Sequence, residues 1–434
     1  MGDSQGGLTI LPPTNSAWQN TSDLDELVLP PVAIGRISSS KLRVLLVEDD
    51  PGDAELVKHA LRESRSPSFQ VTHAAKLGAA LDRLQDGEIF DVVLLDLSLP
   101  DSAGVSTLSK LQAVAPRVPI VIMTGLDDPQ LANYALEVGA QDYLVKSDDP
   151  ERTVVRAIRY AITRMNALVE RDALAERVVA QQRVLLKELE AARTMQFHLL
   201  PRPEGLNDRF RDLGLDVEAA FEPSLGIGGD LWGCMDSGDG KFAFYTFDFA
   251  GHGISAALNV FRLHALITER WDPRQQPAEL LRILGTALHG LLKRGQYATM
   301  FVGVVDTVHG ELEWSAAGAP APVLAHAGKA EFLDSRGVPL GLSRSATYAN
   351  HRKPFPIGAS LLLYSDAITD ALVSDDQSFG EDGLMGLVQD QLGSGDITIS
   401  RLLDQFFSLI PPPLQDDLTA VRISRVDRGR LQCG

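Results

Sequence analysis

Short apolar runs alternate with amphipathic stretches in the first third of the chain. The runs are almost continuously hydrophobic, as expected of parallel strands that are buried on both faces. They are Leu42–Val47, Val92–Leu95, Pro119–Met123 and Tyr143–Val145, with a further strand expected at Phe69–His73. Helical periodicity lies between them, for example over Ala54–Leu61 and Ala75–Leu84. Strands that alternate with helices indicate an α/β domain with a parallel five-stranded sheet, which we place at residues 41–150.

Residues 1–40 have a different texture from the α/β region. They are rich in Gly, Ser, Pro, Thr and Asn, and they show no sustained apolar period. A segment of this composition buries too little apolar surface to offset the entropy that is lost on folding. We therefore predict a disordered tail before residue 41.

A long helical pattern follows the α/β region. From Glu151 to Leu199 the chain contains neither Pro nor Gly. Residues at spacings of 3 and 4 form two registers, separated by the polar Asp172 and Glu176. The registers are Val155, Ile158, Ile162, Met165, Val169 and then Val178, Gln182, Leu185, Leu189, Ala192, Gln196, Leu199. This spacing indicates a coiled coil with a phase break.

The alternative is one long surface helix packed on its own domain. A helix of about 45 residues would exceed roughly 60 Å at 1.5 Å per residue, which is too long for one globular domain to cover. We therefore predict that residues 151–200 form a helical coiled-coil linker that pairs two copies of the chain in a homodimer.

Beyond Pro201 and Pro203 the chain becomes rich in glycine, and short strand-like runs return. These runs are Lys241–Phe247, Phe301–Asp306, Leu312–Ala316, Ser360–Tyr364 and Leu418–Ile423. Two helical patterns interrupt them, at Ser255–Trp271 and Pro277–Leu292. Groups of strands with paired helices indicate an α+β sandwich, which we place at residues 201–428.

Charge and cysteine content narrow the class of protein. The chain has 58 acidic and 40 basic residues, a formal net charge of −18. Such a protein repels the nucleic-acid backbone, which disfavours binding to DNA or RNA. The two cysteines, Cys234 and Cys433, do not form a disulfide framework and fit a reducing compartment. Because the N-terminal region lacks a basic, apolar signal and no apolar run reaches about 18 residues, we expect a cytoplasmic protein with no membrane segment.

Acidic residues lie at the predicted carboxyl ends of the first and third strands. The run VEDDP begins at Val47, and Asp96 ends the run Val92–Asp96. Ligands of open parallel sheets bind at this edge, so the carboxylates should converge and attract a hard cation such as Mg²⁺. Thr124 and Lys146 end the fourth and fifth strands, where a hydroxyl and an ammonium could hold phosphoryl oxygens.

This set of residues resembles the receiver domain of two-component response regulators, a flavodoxin-like α/β fold. The matching positions are Glu48, Asp49, Asp96, Thr124, Tyr143 and Lys146, with LDLSLPDSAG (from Leu95) closing the third strand. The resemblance implies that Asp96 is phosphorylated by a sensor histidine kinase or phosphotransfer protein. It implies that Mg²⁺ is held by Glu48, Asp49, Asp96 and the carbonyl of Ser98. Thr124 and Lys146 would then contact the phosphoryl group, and Tyr143 would reorient with the switch.

Four aspartates stand in separate motifs of the second half. The motifs are GGDLW (from Gly228), FDFAGHG (from Phe247), YSDAIT (from Tyr364) and QDDLT (from Gln415). Glycines beside the first two let backbone and water approach closely. Carboxylates gathered from distant segments are the usual construction of a two-metal site, in which two ions direct a water at phosphorus.

These motifs resemble the PPM phosphatases of the SpoIIE-like subgroup, over residues from about 190 to 425. The lead-in ARTMQFHLLP, from Ala192, also fits the subgroup. The resemblance implies two Mg²⁺ or Mn²⁺ ions held by Asp230, Asp248, the carbonyl of Phe249, Asp366 and Asp416. It implies direct attack on phosphoserine or phosphothreonine, with no covalent enzyme intermediate. Spacing leaves Asp417 open as an alternative to Asp416.

The chain departs from both family patterns at particular positions. Ser147 follows Lys146 where a proline is usual, which puts the cis peptide common there in doubt. In the second half, Gly233 replaces a frequent acid, Ala367 a frequent glycine and Ala319 a frequent histidine. None of these changes removes a matched aspartate. His252 is either a general acid or a residue that leads into a helix.

Two functions of different classes remain. The first is a response regulator whose phosphorylation controls a metal-dependent protein phosphatase; the subgroup implies a phosphorylated anti-sigma-factor antagonist as substrate. The alternative is a sigma-factor-binding adaptor with a non-catalytic phosphatase-like domain. Adaptors of that type have lost the metal aspartates, so Asp230, Asp248, Asp366 and Asp416 favour the enzyme. A DNA-binding regulator is disfavoured by the net charge.

Overall fold

The computed structural model describes residues 7–11, 41–64, 67–124, 134, 136–146, 150–224, 226–251, 253–374 and 377–427. It divides into two compact units. One unit spans Glu26–Arg183, and the other combines Met1–Asp25 with Val184–Gly434. Among the described residues, no helix has the length and apolar character that a bilayer crossing requires.

The unit that contains the first half of the chain is built on one sheet. The N-terminal strand β1 (Leu8–Ile10) belongs to the other unit. The elements of this unit are β2 (Lys41–Val47), α1 (Pro51–Glu63), β3 (Ser68–Ala74), α2 (Leu77–Gln85), β4 (Val92–Asp96), β5 (Ser98–Leu99), β6 (Ser102–Ala103), α3 (Val105–Val114), β7 (Ile120–Thr124), β8 (Asp142–Val145) and the first part of the long helix α4 (Pro150–Phe197), whose last residues are assigned to the other unit. The sheet order is β3-β2-β4-β7-β8, with every pair parallel. The predicted five-stranded parallel sheet is therefore confirmed.

Both faces of this sheet are covered, which explains why its strands are continuously hydrophobic. Alternate residues of β2 point to opposite sides, so Leu45 packs in one core with α2 and α3, while Val44 packs in the other. The second core also contains Ile158 and Ile162 of α4. These two residues therefore pack on the sheet of their own domain, as in the alternative of a surface helix, and not in a coiled coil.

Helix α4 leaves its middle uncovered. It is a single helix of 48 residues, about 72 Å long at 1.5 Å per residue. Leu174, Val178 and Leu185 are more than half exposed, at 53%, 53% and 55%. By contrast Gln196, placed in the second register, is fully buried within its own unit. The coiled-coil prediction therefore now rests on the central part of the helix.

The second unit is a sandwich of two sheets. Its remaining elements are α5 (Pro203–Leu213), β9 (Leu215–Glu222), β10 (Asp230–Gly238), β11 (Lys241–Phe249), α6 (Ile254–Arg270), α7 (Pro277–His289), β12 (Ala298–Asp306), β13 (Glu311–Ala316), β14 (Val323–His326), β15 (Lys329–Phe332), β16 (His351–Pro354), β17 (Ser360–Tyr364), α8 (Asp366–Thr369), β18 (Leu372–Ser374), β19 (Gln377–Ser378), α9 (Gly380–Ser394), α10 (Ile399–Leu409) and β20 (Leu418–Arg425). One sheet has the order β1-β9-β20-β17-β14-β15, and the other β10-β11-β12-β13-β16. The predicted α+β sandwich is confirmed.

Apolar side chains of both sheets fill the space between them. Phe242 and Phe244 of β11 share one core with Leu361 of β17 and Val421 of β20. A second core lies between the six-stranded sheet and helices α9 and α10, with Phe406 at its centre. The sheets are thus fixed face to face, and the site described below lies where strands of both sheets end or begin.

The prediction of a disordered tail is wrong for the short segment around Leu8. Strand β1 pairs in parallel with β9, and Leu8 lies opposite Val217. Leu8 is 4% exposed, and its amide donates a hydrogen bond of 2.6 Å to Oδ1 of Asn207. A strand of three residues is too short to show a period, which is why composition alone missed it. Residues 1–6 and 12–40 lie outside the described residues.

Replacing Leu8 by Ala should therefore destabilise the sandwich unit. Removing a buried leucine side chain costs about 2–5 kcal/mol in a core, and we expect the lower end for an edge strand. Trp232, Trp271 and Trp314 belong to this unit, so urea unfolding followed by tryptophan fluorescence reports on it. Thr9→Ala, on the exposed side of the same strand, is the matched control. Equal midpoints for the two variants would contradict the burial of Leu8.

Candidate functional site

Three acids of the α/β unit meet at the carboxyl edge of its sheet. Glu48 and Asp49 follow β2, and Asp96 is the last residue of β4. One carboxylate oxygen from each lies within 4.8 Å of the others, as a single cation would require. Glu48 and Asp96 are buried, whereas Asp49 is exposed. The amide of Ser98 donates a 2.9 Å hydrogen bond to Oδ1 of Asp96, which orients that carboxylate. The chemistry of these donors fits Mg²⁺.

Lys146 lies against the same acids. Its Nζ is 2.8 Å from Oε2 of Glu48, 2.7 Å from Oδ2 of Asp53 and 2.8 Å from Oδ2 of Asp96. Burial disfavours the charged ammonium, but hydrogen bonds to Asp53, Asp96 and Glu48 outweigh burial and raise the pKa of Lys146. The pKa of Glu48 is also raised, chiefly by burial, although Lys146 opposes the shift. The ammonium thus offsets part of the charge of the acid cluster.

The structure describes the other residues predicted for this site to different extents. Thr124 is the last residue of β7, and its side chain lies outside the described part of the structure, as does Ser147. Tyr143 lies in β8 opposite Ile122 and is half-buried against one of the two cores. Asp53 was not predicted; it lies in the first turn of α1, where an acid also fits a helix N-terminus.

Two of the four aspartates in the sandwich unit are direct neighbours. Asp230 of β10 pairs with Asp248 of β11, so both side chains project from the same face of the sheet. A side chain at Gly229 would bring its Cβ within 2.9 Å of the Phe249 carbonyl oxygen and 3.1 Å of Oδ1 of Asp248. Glycine is therefore required there, and it leaves that carbonyl and that carboxylate accessible.

The other two aspartates come from the opposite sheet. Asp366 begins α8 directly after β17, and Asp416 lies two residues before β20. Thr419 of β20 donates a 2.7 Å hydrogen bond from Oγ1 to Oδ2 of Asp230, which ties the two sheets together at this point. The motifs that are far apart in sequence thus converge at one end of the sandwich.

Burial, and after it the repulsion between neighbouring carboxylates, raises the pKa values of these acids. Burial, then Asp248 and Asp417, raise the pKa of Asp230 well above its usual value. Burial, followed by Asp366 and Asp416, raises the pKa of Asp248 to about 7. Burial and Asp416 raise the pKa of Asp366 to about 6. Carboxylates that repel one another in this way fit a cationic ligand.

The acids of the sandwich unit are spread more widely than those of the α/β unit. Within the described residues, no three of their ligand atoms lie within 4.8 Å of one another, unlike Glu48, Asp49 and Asp96. Two ions roughly 3.5–4 Å apart need ligands distributed over a larger space than one ion does. The arrangement is therefore compatible with a pair of divalent ions.

The structure distinguishes Asp416 from Asp417. Asp417 is 3% exposed; its Oδ1 accepts from the amide of Ser224 at 2.7 Å and its Oδ2 from the amide of Gly229 at 2.6 Å. The amide of Asp417 in turn donates to Oδ1 of Asp416, whose side chain is exposed. Asp417 therefore holds the backbone of the GGD motif, which leaves Asp416 as the better candidate ligand.

A cavity of about 300 Å³ opens beside three of the aspartates. Its acidic walls are Asp230, Asp248, Asp366 and Glu381, and Ala319 lines it where a histidine was expected. The space beyond Gly233 is filled, because a Cβ there would lie 2.2 Å from the hydroxyl of Tyr245. Where an acidic side chain is frequent in the family, the buried phenol of Tyr245 therefore occupies the space beside Gly233. His252 lies outside the described residues.

Sequence reasoning missed the role of Gln196. Its Nε2 donates to the carbonyl of Gly228 at 3.0 Å and to that of Asp230 at 3.3 Å, and its Oε1 accepts from the amide of Gly228 at 3.1 Å. The last turns of α4 thus hold the segment that carries Asp230. A polar residue at an apolar position of the second register was the available signal.

Two known protein families match separate parts of the chain, one in each half. A model of the response regulator receiver domain matches residues 44–158, and a model of stage II sporulation protein E (SpoIIE) matches residues 238–426. The chain therefore combines a receiver domain with a SpoIIE-type PPM phosphatase domain.

Individual relatives cover parts of the chain. The phosphoserine phosphatase RsbP of Bacillus subtilis is 25% identical over 193 residues, which are 43% of this chain and 46% of RsbP. The SiaA-PP2C domain of Pseudomonas aeruginosa is 19% identical with a TM-score of 0.49, covering 57% of this chain and 99% of that domain. A CheY-like receiver from Methanospirillum hungatei is 26% identical with a TM-score of 0.26, covering 29% of this chain and 97% of that one. The chain spans less than half the length of RsbP.

Stability of the metal-free protein should fall as pH rises. The pKa values of Asp248 and Asp366 are about 7 and about 6 in the folded protein, against an ordinary value of 3.8. Between these limits the folded state binds more protons than the unfolded state, so the free energy of unfolding decreases with increasing pH. We expect the melting temperature of the full chain in EDTA to drop from pH 5 to pH 8, and Mn²⁺ to restore it at pH 8.

Asp248→Asn should flatten this pH dependence. Asp236→Asn is the matched control, because Asp236 lies at the far end of β10 and is paired with Arg209 at 2.6 Å. A slope that Asp248→Asn leaves as steep as in the parent would refute the coupling of stability to this carboxyl.

Proposed function

We propose that this chain is a response regulator whose phosphorylation at Asp96 controls a metal-dependent serine/threonine protein phosphatase. The observation that carries the proposal is the convergence of Asp230, Asp248 and Asp366 from two sheets at one cavity, with Asp416 close enough to raise the pKa of Asp248 and Asp366. Burying acids together is costly without a compensating cation. A fold that gathers them at an accessible cavity is best explained by a catalytic metal site.

The side chains have separate tasks in this proposal. Asp230, Asp248, Asp366, Asp416 and the carbonyl of Phe249 would hold two Mg²⁺ or Mn²⁺ ions. When bound, these ions activate a water for attack on phosphorus and offset the charge of the phosphoryl group. Thr419 orients the Asp230 carboxylate, and Asp417 fixes the backbone of Gly229. The bond from phosphorus to the serine or threonine oxygen of the substrate would break as the bond to the water oxygen forms, and a proton from that water would pass to the leaving oxygen, with no covalent enzyme intermediate.

The receiver site supports control by a phosphodonor. Asp96 would accept the phosphoryl group from a sensor histidine kinase or phosphotransfer protein, with Mg²⁺ held by Glu48, Asp49, Asp96 and the carbonyl of Ser98. The contact between Lys146 and Asp96 would shift to a phosphoryl oxygen, and Thr124 would bind another. Tyr143 would reorient with the same change.

The substrate we propose is a phosphorylated protein of the anti-sigma-factor antagonist type. RsbP, which is 25% identical to this chain over 193 residues, is named a phosphoserine phosphatase. The net charge of −18 argues against nucleic acid as a partner. We place the protein in the cytoplasm.

The four aspartates also bear on the alternative function, a sigma-factor-binding adaptor with a non-catalytic phosphatase-like domain. A sigma-factor-binding adaptor needs no metal, so its aspartates would be free to diverge. Here all four are present, and Gly229 keeps the carbonyl of Phe249 accessible. These observations favour the enzyme over the non-catalytic alternative.

Helix α4 is the proposed route of control. It begins against the receiver sheet with Val154 and Ile158, and it ends with Gln196 bonded to the segment of Asp230. Its central apolar residues Val178 and Leu185 are exposed and fit a homodimeric coiled coil. A change in helix packing on phosphorylation would then reach Asp230 through Gln196.

Asp248→Asn and Asp366→Asn should each abolish most phosphatase activity. Each change removes a charge from a site that must hold two dications, so turnover of a phosphoserine peptide with Mn²⁺ should fall at least about a hundredfold. Asp236→Asn, on the same strand as Asp230 but distant from the cavity, should remain active. Near-normal turnover by both variants would contradict the assignment of Asp248 and Asp366 as metal ligands. An inactive parent protein would support the adaptor function.

Treatment with beryllofluoride and Mg²⁺ should change the phosphatase rate of the parent. We expect a several-fold to roughly hundredfold effect, the usual range of coupling between two sites. Acetyl phosphate should add one hydroxylamine-labile phosphoryl group.

Asp96→Asn should lose both responses while it keeps the basal rate. Asp101→Asn is the control, since Asp101 is bonded to the amides of Leu77 and Gly78 rather than to the acid cluster. A phosphoryl group that still forms on Asp96→Asn would show that another residue is the acceptor.

A further inference from the structure

The cavity beside the aspartates is lined by hydroxyl groups as well as by acids. Six Ser or Thr residues face it: Thr246, Thr299, Ser335, Ser365, Thr369 and Thr419. Among the described residues that line the cavity, none is Lys, Arg or His. A phosphoryl group bound here would therefore find hydroxyl donors, but no cationic side chain, on the cavity wall.

Three of these hydroxyls are already used within the protein. Oγ of Ser365 donates to the carbonyl of Asp417 at 2.8 Å, and Oγ1 of Thr369 donates to the carbonyl of Asp366 at 3.2 Å. Oγ1 of Thr419 donates to Asp230 at 2.7 Å. These three stabilise the segments that carry the aspartates, and their protons are not available to a ligand.

The other three hydroxyls have no hydrogen-bond partner in the described part of the chain. They belong to Thr246, Thr299 and Ser335, which are all half-buried. A partly buried hydroxyl on a cavity wall can exchange its hydrogen bond to solvent for one to a polar ligand, and this exchange is most favourable when the ligand is charged. These residues therefore differ from the first three in a way that indicates ligand binding.

Strand register places two of the three beside Asp248. Asp248 of β11 pairs with Asp230 on one side and with Thr299 of β12 on the other, so the three form one row on one face of the sheet. Directly opposed side chains have Cβ atoms about 4.5–5.5 Å apart. Thr246 precedes Asp248 by two residues and projects from the same face.

We propose that Thr246, Thr299 and Ser335 form a hydroxyl cradle for the non-bridging oxygens of the substrate phosphoryl group. Thr299 is the central member, because it lies next to Asp248 in the row that ends at Asp230. Each hydroxyl donates a hydrogen bond to a phosphoryl oxygen, and no covalent bond is made or broken by the cradle. The inference rests on the proposed phosphatase function, and it adds the residues that recognise the phosphoryl group in place of a cationic side chain.

The test compares Thr299→Val with Thr299→Ser in the full-length protein loaded with Mn²⁺. Valine keeps the branched shape and removes the hydroxyl, whereas serine keeps the hydroxyl. Titration calorimetry with inorganic phosphate measures binding without turnover, and kcat/KM is measured with a phosphoserine peptide. Thr299→Val should weaken phosphate binding and lower kcat/KM by about tenfold or more, the loss expected for a hydrogen bond to a charged group.

The controls separate recognition from metal binding and from folding. Thr299→Ser should stay within about threefold of the parent in both measurements, and the Mn²⁺ affinity of Thr299→Val should be unchanged. Ser335→Ala, in a different segment, should weaken phosphate binding independently. Thr286→Val, at a half-buried position of α7 that does not line the cavity and where the hydroxyl donates to the carbonyl of Arg282, should behave as the parent in both measurements.

The outcomes distinguish this inference from the proposed function. If the parent hydrolyses the peptide and Thr299→Val binds phosphate and turns over as well as the parent, the cradle is wrong and the phosphatase stands. A parallel loss of Mn²⁺ affinity also overturns the cradle, because Thr299 would then act through the metal site. If the parent has no turnover but binds phosphate in a Thr299-dependent way, the cradle stands and the phosphatase proposal fails.

Discussion

The pairing of Asp230 with Asp248 is the constraint on which the phosphatase half depends. Antiparallel register forces both carboxylates onto one face at the end of the sandwich, where burial raises the pKa of each. The surrounding structure then serves to hold this unfavourable arrangement. Asp417 binds the amide of Gly229 from one side, and Gln196 binds both backbone groups of Gly228 from another. The segment that carries Asp230 is thus fixed by backbone hydrogen bonds to the Gln196 amide and to the Asp417 carboxylate.

Much of the α/β half could be predicted from the sequence because its signals are local. A parallel strand that is buried on both faces leaves a continuous apolar run, and the residue that ends the run lies at the carboxyl edge. Asp96 and Lys146 were found in this way, and the structure brings them to within 2.8 Å. In the sandwich half the acids were found from motifs instead, since pairing between distant strands is not visible in a single sequence. The register that opposes Asp230 and Asp248 appears only in the fold.

The residues that sequence reasoning missed share a physical cause. Leu8 is buried by a strand more than 200 residues away in sequence, at Val217, and a three-residue strand has no period of its own. Asp53 resembles an ordinary acid in the first turn of a helix until Lys146 is seen beside it. Gln196 fits a heptad position, but it is buried in its own domain rather than at a helix pair. In each case the decisive contact is non-local, while the local pattern has a simpler explanation.

The two acid clusters differ in what offsets their charge, and this difference sets what each needs from its surroundings. In the receiver, Lys146 lies within ion-pair distance of Glu48, Asp53 and Asp96, so the chain itself supplies a cation. Any divalent ion there must share the acids with an ammonium. In the phosphatase half no Lys, Arg or His lines the described cavity wall. Protons or added cations must then relieve the repulsion, and above a pH of about 7 protons no longer do so for Asp248. At neutral pH the phosphatase cluster therefore depends on external cations more strongly than the receiver does.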